Sequence, residues 1–308
     1  MTVEQLIQQG EKALMDAGVP DAKIDARLLL EYVLNKDRAY LLTNAKEDLK
    51  DLIRGACAED QEDAEALRMR YGDLIEKRSK RIPLQHLTGT QDFMGLTFRT
   101  GPGALIPRQD TETLVEEAMK HLHDGMRILD LCTGSGCILI SLLKYSNDCS
   151  GIGTDLYPEA LLIAKKNAAE LLPEAYEGGR LSFLEGDLFA DAKGPFDLVI
   201  SNPPYIESGV IPSLQPEVRD HDPETALDGG EDGLIFYRRI VKDLDRHLIP
   251  GGYVLFEIGS GQAEAVSGIL KEAGFSGIEV SRDLAGNDRV VKAYLPVGKS
   301  ERKEDLNV

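Results

Sequence analysis

Residues 127–136 read RILDLCTGSG, and the way this stretch ends decides the fold. The apolar run 127–131 has the length and character of a buried strand. It passes without a spacer into Cys132-Thr133-Gly134-Ser135-Gly136, and a helical segment begins immediately afterwards. Glycines at a strand-to-helix turn carry no side chain, so a ligand can approach the backbone N–H groups at the helix start. The third glycine of a dinucleotide fingerprint would fall at position 139, which is Leu139, so that fingerprint is incomplete.

Toward the C-terminus the alternation of apolar runs and helical segments continues for most of the chain. Further strands are predicted at 150–154 (SGIGT), 181–184 (LSFL), 196–200 (FDLVI), 252–258 (GYVLFEI), 277–280 (GIEV) and 289–295 (RVVKAYL). With 127–131 these make a seven-stranded, doubly wound α/β sheet. Toward the N-terminus, 89–103 (GTQDFMGLTFRTGPG) alternates polar with apolar residues between glycines, the pattern of a β-hairpin. Residues 1 to about 87 read as helical. Thr2 with Gln5 forms a capping box, and Val3, Leu6, Ile7, Leu14 and Ala17 recur at helical spacing before Gly18-Val19-Pro20 ends the helix. Ile24, Leu28, Leu29, Tyr32 and Val33 mark the apolar face of the next. An acidic run at 59–66 (EDQEDAEA) is followed by Arg68, Arg70, Lys77, Arg78, Lys80 and Arg81, which predicts a solvated helix with its charges outward. The expected organisation is a helical recognition domain over 1–87, a hairpin linker over 88–105, an α/β domain over 106–298 and a charged tail over 299–308.

The chemistry-bearing residues fall at strand ends. Asp130, Asp155 and Asp187 close three successive strands of the first half-sheet. A carboxylate in the Asp155 position accepts hydrogen bonds from both hydroxyls of a ribose. The three acids suit a ligand with a ribose, an adenine amino group and a cationic end, and suit a phosphate-bearing dinucleotide poorly. The fourth strand ends in Asn202-Pro203-Pro204-Tyr205. A residue that precedes proline is pushed out of the helical region, so Asn202 and Pro203 are held extended. The Asn202 side-chain oxygen and the Pro203 carbonyl then form two fixed acceptors for the hydrogens of a planar NH₂ group. Tyr205 is expected to offer a flat surface for that group to stack on. Such acceptors raise electron density on a poorly nucleophilic nitrogen and stabilise the positive charge that develops during attack on a methyl donor.

Composition limits the partners. The 308 residues carry a formal net charge of −18, which disfavours a phosphate backbone as ligand. No apolar run is long enough to span a membrane, and the first twenty residues contain Glu4, Glu11 and Asp16, so neither a membrane anchor nor a secretory leader is expected and a cytoplasmic location follows. Cys57, Cys132, Cys137 and Cys149 form no metal pattern with one another or with the histidines.

The whole set of motifs resembles the HemK/PrmC family, methyltransferases that modify the glutamine of the GGQ motif in class I peptide chain release factors. The resemblance extends over Pro83–Gly89, Phe93–Phe98, Ile106-Pro107-Arg108, Asp110-Thr111-Glu112, Ala226–Gly230, Asp232-Gly233, Tyr237-Arg238, Phe256–Gly259 with Gln262, and Asp283–Gly286 with Asp288-Arg289. It implies S-adenosyl-L-methionine as cofactor, bound by Asp130, Cys132, Thr133, Gly134, Ser135, Gly136, Asp155, Asp187 and Leu188 with Asn202 beside them. It implies that Asn202, Pro203, Pro204 and Tyr205 hold the glutamine, that release factors are the partner, and that neither nucleic acid nor membrane is. Some family members place a tryptophan where this chain has Leu188, and glycine is commoner at Cys132. Because the Asn-Pro-Pro-Tyr motif is shared with amino-methyltransferases of nucleic acids, methylation of adenine in DNA or RNA is the alternative.

Overall fold

The computed structural model describes residues 1–51, 63–189 and 191–298. Cys57, the first half of the acidic run (59–62) and the tail from 299 lie outside the described residues. The chain divides into two compact units, Met1–Gly89 and Thr90–Val308.

The first unit contains α1 (Val3–Asp16), α2 (Ala22–Leu34), α3 (Arg38–Thr43), α4 (Ala64–Ser79) and α5 (Leu84–Thr88). The Thr2–Gln5 capping box forms as the sequence predicts, with Thr2 accepting from Gln5 N and Gln5 accepting from Thr2 N. The buried stripe of α2 differs from the predicted one. Ala22, Ala26, Leu29, Leu30 and Val33 face inward, while Ile24 and Tyr32 are about half exposed. Small residues on that stripe let helices approach closely, and Asp25 turns inward with them to pair with Arg78 at 2.7 Å. Arg78 is therefore buried and does not belong to the solvated face expected of the basic stretch. An unpaired charge at such a site would be expensive, which is why both partners are inside.

The second unit opens with a hairpin, β1 (Thr90–Phe93) and β2 (Leu96–Arg99), paired antiparallel. Met94 and Gly95 both have positive φ, the two-residue turn that matches strand twist. Phe93 and Phe98 are buried in the core of this unit, beside Leu114 and Ile138. The main sheet contains β3 (Arg127–Leu131), β4 (Ser150–Asp155), β5 (Leu181–Glu185), β6 (Phe196–Ser201), β7 (Leu248–Glu257), β8 (Ser276–Arg282) and β9 (Asp288–Tyr294). Their spatial order is β5-β4-β3-β6-β7-β9-β8, with β9 antiparallel to both neighbours. One face is covered by α6 (Glu112–Met119), α7 (Cys137–Lys144) and α8 (Pro158–Leu171), packed through residues such as Val115, Leu139 and Ala164. Two short helices, α9 (Pro173–Glu177) and α10 (Pro216–Arg219), lie in connections. The opposite face is covered by α11 (Ile235–Leu244) and α12 (Ala263–Glu272), through Tyr237, Ile240, Val266 and Leu270.

The chain leaves β3 toward β4 and β5 on one side, and β6 and β7 build the other. Between β3 and β6 the direction of winding reverses, and the carboxyl ends of those strands open a crevice there. The loop after β3 and the loop after β6 are thereby placed side by side.

Candidate active site

The turn after β3 is fixed from beneath. Thr133 N donates to Thr154 O at 2.9 Å, and Gly134 N donates to Asp155 Oδ2 at 2.8 Å. Asn167 Nδ2 donates to Ser135 O at 2.9 Å. Cys132, Gly134 and Gly136 have φ of 57°, 55° and 78°. The left-handed value at Cys132 explains why glycine suits that position; a side chain there carries a modest strain. At Gly136 a Cβ would press on Ile140, Ala164 and Phe183 at 3.0–3.2 Å, so this glycine serves close packing.

A cavity of about 340 Å³ opens over the turn. Cys132, Thr133, Gly134, Ser135, Asp155, Asp187, Leu188, Asn202 and Pro204 line it, so the structure brings most of the sequence-predicted residues together. Gly136, Pro203 and Asp130 do not line it. Asp130 is fully buried, accepts the Thr133 hydroxyl at 2.6 Å and is pushed up to about 7 by burial. It is the penultimate residue of β3, so its side chain stands on a covered face of the sheet and supports the turn from behind. The expected convergence of three carboxylates is thus a convergence of two.

The cavity fits an adenosyl ligand with a cationic end. Asp155 is held by backbone donors, Gly134 N and Tyr157 N. The cavity's two arginines are matched by acids: Arg108 pairs with buried Asp222 at 2.5 Å, and Arg239 with Asp187 at 2.6 Å. A phosphate would find neither a free basic side chain nor a helix start without a nearby carboxylate. Leu188, with φ of 55°, gives the cavity an apolar wall.

The second loop is anchored equally firmly. Ser201 Oγ donates to Leu131 O at 2.7 Å, which ties the end of β6 to the end of β3. Asn202 Nδ2 donates to Thr111 Oγ1 at 3.3 Å, so its Oδ1 is left for a ligand. Pro203 and Pro204 are buried. Tyr205 does not line the cavity: its ring packs on the core beneath, its hydroxyl donates to Glu257 Oε1 at 3.2 Å, and its carbonyl accepts from Gln262 Nε2 at 2.9 Å. The stacking surface expected of it is not presented to the cavity, because a buried carboxylate claims the phenol. A Cβ at Gly233 would lie 2.4 Å from Tyr205 O, and one at Gly229 would lie 2.7 Å from Tyr205 Cα. The Ala226–Gly233 stretch therefore needs its glycines to pack against this loop.

Residues 5–89 match the PrmC N-terminal domain, and residues 108–215 match the methyltransferase small domain. The release factor glutamine methyltransferase of Geobacter sulfurreducens is 38% identical over 94% of this chain and 95% of its own length. That of Clostridium acetobutylicum is 40% identical over 87% of this chain and 90% of its own length. The chain belongs to the release factor glutamine methyltransferase family. It is also similar to a solved protein-(glutamine-N5) methyltransferase, release factor-specific, from Alicyclobacillus acidocaldarius: 32% identity over 65% of this chain and 99% of that one, with a TM-score of 0.38.

Several residues of this family member's site escape a reading of motifs alone. Arg108, Thr111, Glu257 and Gln262 lie inside the stretches that carry the resemblance, but no local signal assigns them a role. Asp222 carries no signal at all; its only mark is burial beneath Arg108. Among the described residues no group of histidines, cysteines or carboxylates could hold a metal ion, and no helix is long and apolar enough to cross a membrane.

Proposed function

We propose that this chain transfers a methyl group from S-adenosylmethionine to the side-chain amide nitrogen of the glutamine in the GGQ motif of class I peptide chain release factors. The observation that carries the reading is the seating of Asn202: its NH₂ is engaged by Thr111 and its oxygen remains an acceptor, beside the cavity over Thr133–Ser135. When bound, the cofactor supplies an electrophilic methyl group on a sulfonium. Asp155 takes the ribose, and the Gly186–Leu188 turn with Asp187 borders the adenine. Asn202 Oδ1 and the Pro203 carbonyl accept the two hydrogens of the glutamine NH₂, which fixes the plane of the amide and stabilises charge developing on its nitrogen. No general base is required, since the proton leaves after transfer. The family relationship supports the choice of substrate, and the −18 charge supports a protein over a nucleic acid.

The test is incubation of the full chain with labelled S-adenosylmethionine and intact release factor, followed by peptide mapping. Label is expected on the GGQ glutamine and absent from a GGE variant, whose carboxylate brings no donors to the fixed acceptors. Transfer to adenine in DNA or RNA, with none to release factor, would replace this reading with the nucleic-acid alternative.

A further inference from the structure

The start of helix α11 carries two side chains that line the cofactor cavity, Phe236 and Arg239. The inward stripe of that helix, Tyr237, Ile240, Val241 and Leu244, is 0–5% exposed and covers the core without help from either. Phe236 stands beside the stripe, partly buried against the core, with the cavity on its other side. Arg239 follows three residues later, so the two side chains are neighbours on the helix surface. Its guanidinium carbon lies 5.7 Å from the centre of the Phe236 ring, and it pairs with Asp187 at 2.6 Å. One ion pair thus joins α11 to the Gly186–Leu188 turn after β5.

The ring is held in place by its neighbours. The Tyr237 hydroxyl donates to Glu257 O at 2.8 Å, and Arg238 donates to the Asp232 carboxylate at 3.0 and 2.6 Å. A side chain fixed in advance costs little ordering entropy when a ligand meets it. Arg239 lies within the roughly 6 Å range of a cation–π contact, which favours this placement of the ring. Among the described residues the other aromatic side chain on the cavity is Tyr157. Its N–H donates to Asp155 Oδ1 at 3.0 Å, so it belongs to the ribose end. Phe236 belongs with Asp187 and Leu188, at the end given to the base. Leu188 offers aliphatic surface there, whereas a purine has π faces that an aromatic ring contacts more favourably.

We infer that Phe236 is the aromatic contact for the adenine of S-adenosylmethionine, kept at the base end of the cavity by the Arg239–Asp187 pair. This rests on the cofactor reading above. The base is then recognised by α11 as well as by the turn after β5, and the ring of Phe236 supplies what the side chain of Leu188 cannot.

The experiment titrates two ligands that share the base but not the amino-acid end, S-adenosylhomocysteine and 5′-methylthioadenosine. It compares the full unaltered chain with Phe236→Ala, Phe236→Leu and Phe236→Trp, with melting temperature measured alongside. Phe236→Ala is expected to weaken both ligands by the same factor, about 5- to 150-fold, the range of base–aromatic contacts. Phe236→Leu keeps apolar packing on the core and is still expected to weaken both by about threefold or more. The chain has no tryptophan, so Phe236→Trp introduces a single indole as a reporter. It is expected to bind both ligands within about threefold of normal, with its emission quenched by either. Ile235→Trp, at a neighbouring position 46% exposed and off the cavity, is expected to keep its emission. Affinities within about twofold of normal in a folded Phe236→Ala or Phe236→Leu, a loss confined to S-adenosylhomocysteine, or Phe236→Trp emission indifferent to both ligands overturns the inference. An unaltered chain that binds neither ligand overturns the cofactor reading, and this inference with it.

Discussion

Replacing Asp155 by asparagine changes one oxygen into an NH₂ and almost nothing in shape, yet both oxygens are already engaged. Oδ2 accepts from Gly134 N at 2.8 Å, and Oδ1 accepts from Tyr157 N at 3.0 Å. Either orientation of an asparagine sets its NH₂ against one of these N–H groups, donor against donor. One hydrogen bond to a charged acceptor is lost, worth about 1.5–3 kcal/mol, and the turn that lines the cavity loses an anchor. On the proposed reading the ribose loses an ionised acceptor at the same time. Affinity for S-adenosylhomocysteine should fall about 10- to 100-fold. Stability should move much less. Burial raises the Asp155 carboxyl above its ordinary value, against the backbone hydrogen bonds, so the fold disfavours its ionised form. Its contribution to stability is present at low pH and declines as pH rises through that raised value, and a neutral asparagine removes this liability. Isothermal titration calorimetry paired with thermal melts separates the two effects. An affinity within about twofold of normal would refute both the ribose assignment and the anchoring of the turn.

Asn202→Ala should leave S-adenosylhomocysteine affinity within about threefold while single-turnover transfer falls about 100-fold or more, since it removes an acceptor needed in the transition state. Asp130→Asn should stabilise the protein above neutrality: moving the carboxyl from 3.8 to about 7 corresponds to at most about 4 kcal/mol at about 1.4 kcal/mol per pH unit. Because the raised value makes the buried acid lose stability as pH rises, the difference in denaturation midpoints should be small near pH 4 and grow toward pH 8. Gly10→Ala places a Cβ 2.1 Å from the Tyr71 hydroxyl and 2.9 Å from Ile75 Cδ1, between α1 and α4. That overpacking should destabilise the first unit by about 1–3 kcal/mol, seen as an earlier denaturant transition, with cofactor affinity unchanged.

How much of this was legible in the chain depends on how local each cause is. The capping box at Thr2 and Gln5, the Met94-Gly95 turn and the alternation of apolar strands with helices are short-range effects, and the strands appear within a few residues of their expected ends. The restriction expected of Asn202 and Pro203 has an equally local cause, because proline restricts its neighbour whatever surrounds it. Long-range pairing was not. Asp25 and Arg78 are 53 residues apart, and only packing of α2 on α4 turns both inward and reverses the expectation for Ile24 and Tyr32. Arg108 and Asp222 are 114 residues apart and show no shared pattern. Asp130, Tyr205 and Glu257 make the same distinction within the site itself. Their residue types were visible at strand ends, but whether each faces the cavity or supports it from behind depends on which groups the fold brings within hydrogen-bonding distance. Sequence determined the strands and the turn through local sterics; the tertiary structure decided which carboxylates line the cavity and which stand behind it, because burial and hydrogen-bond partners exist only once distant segments meet.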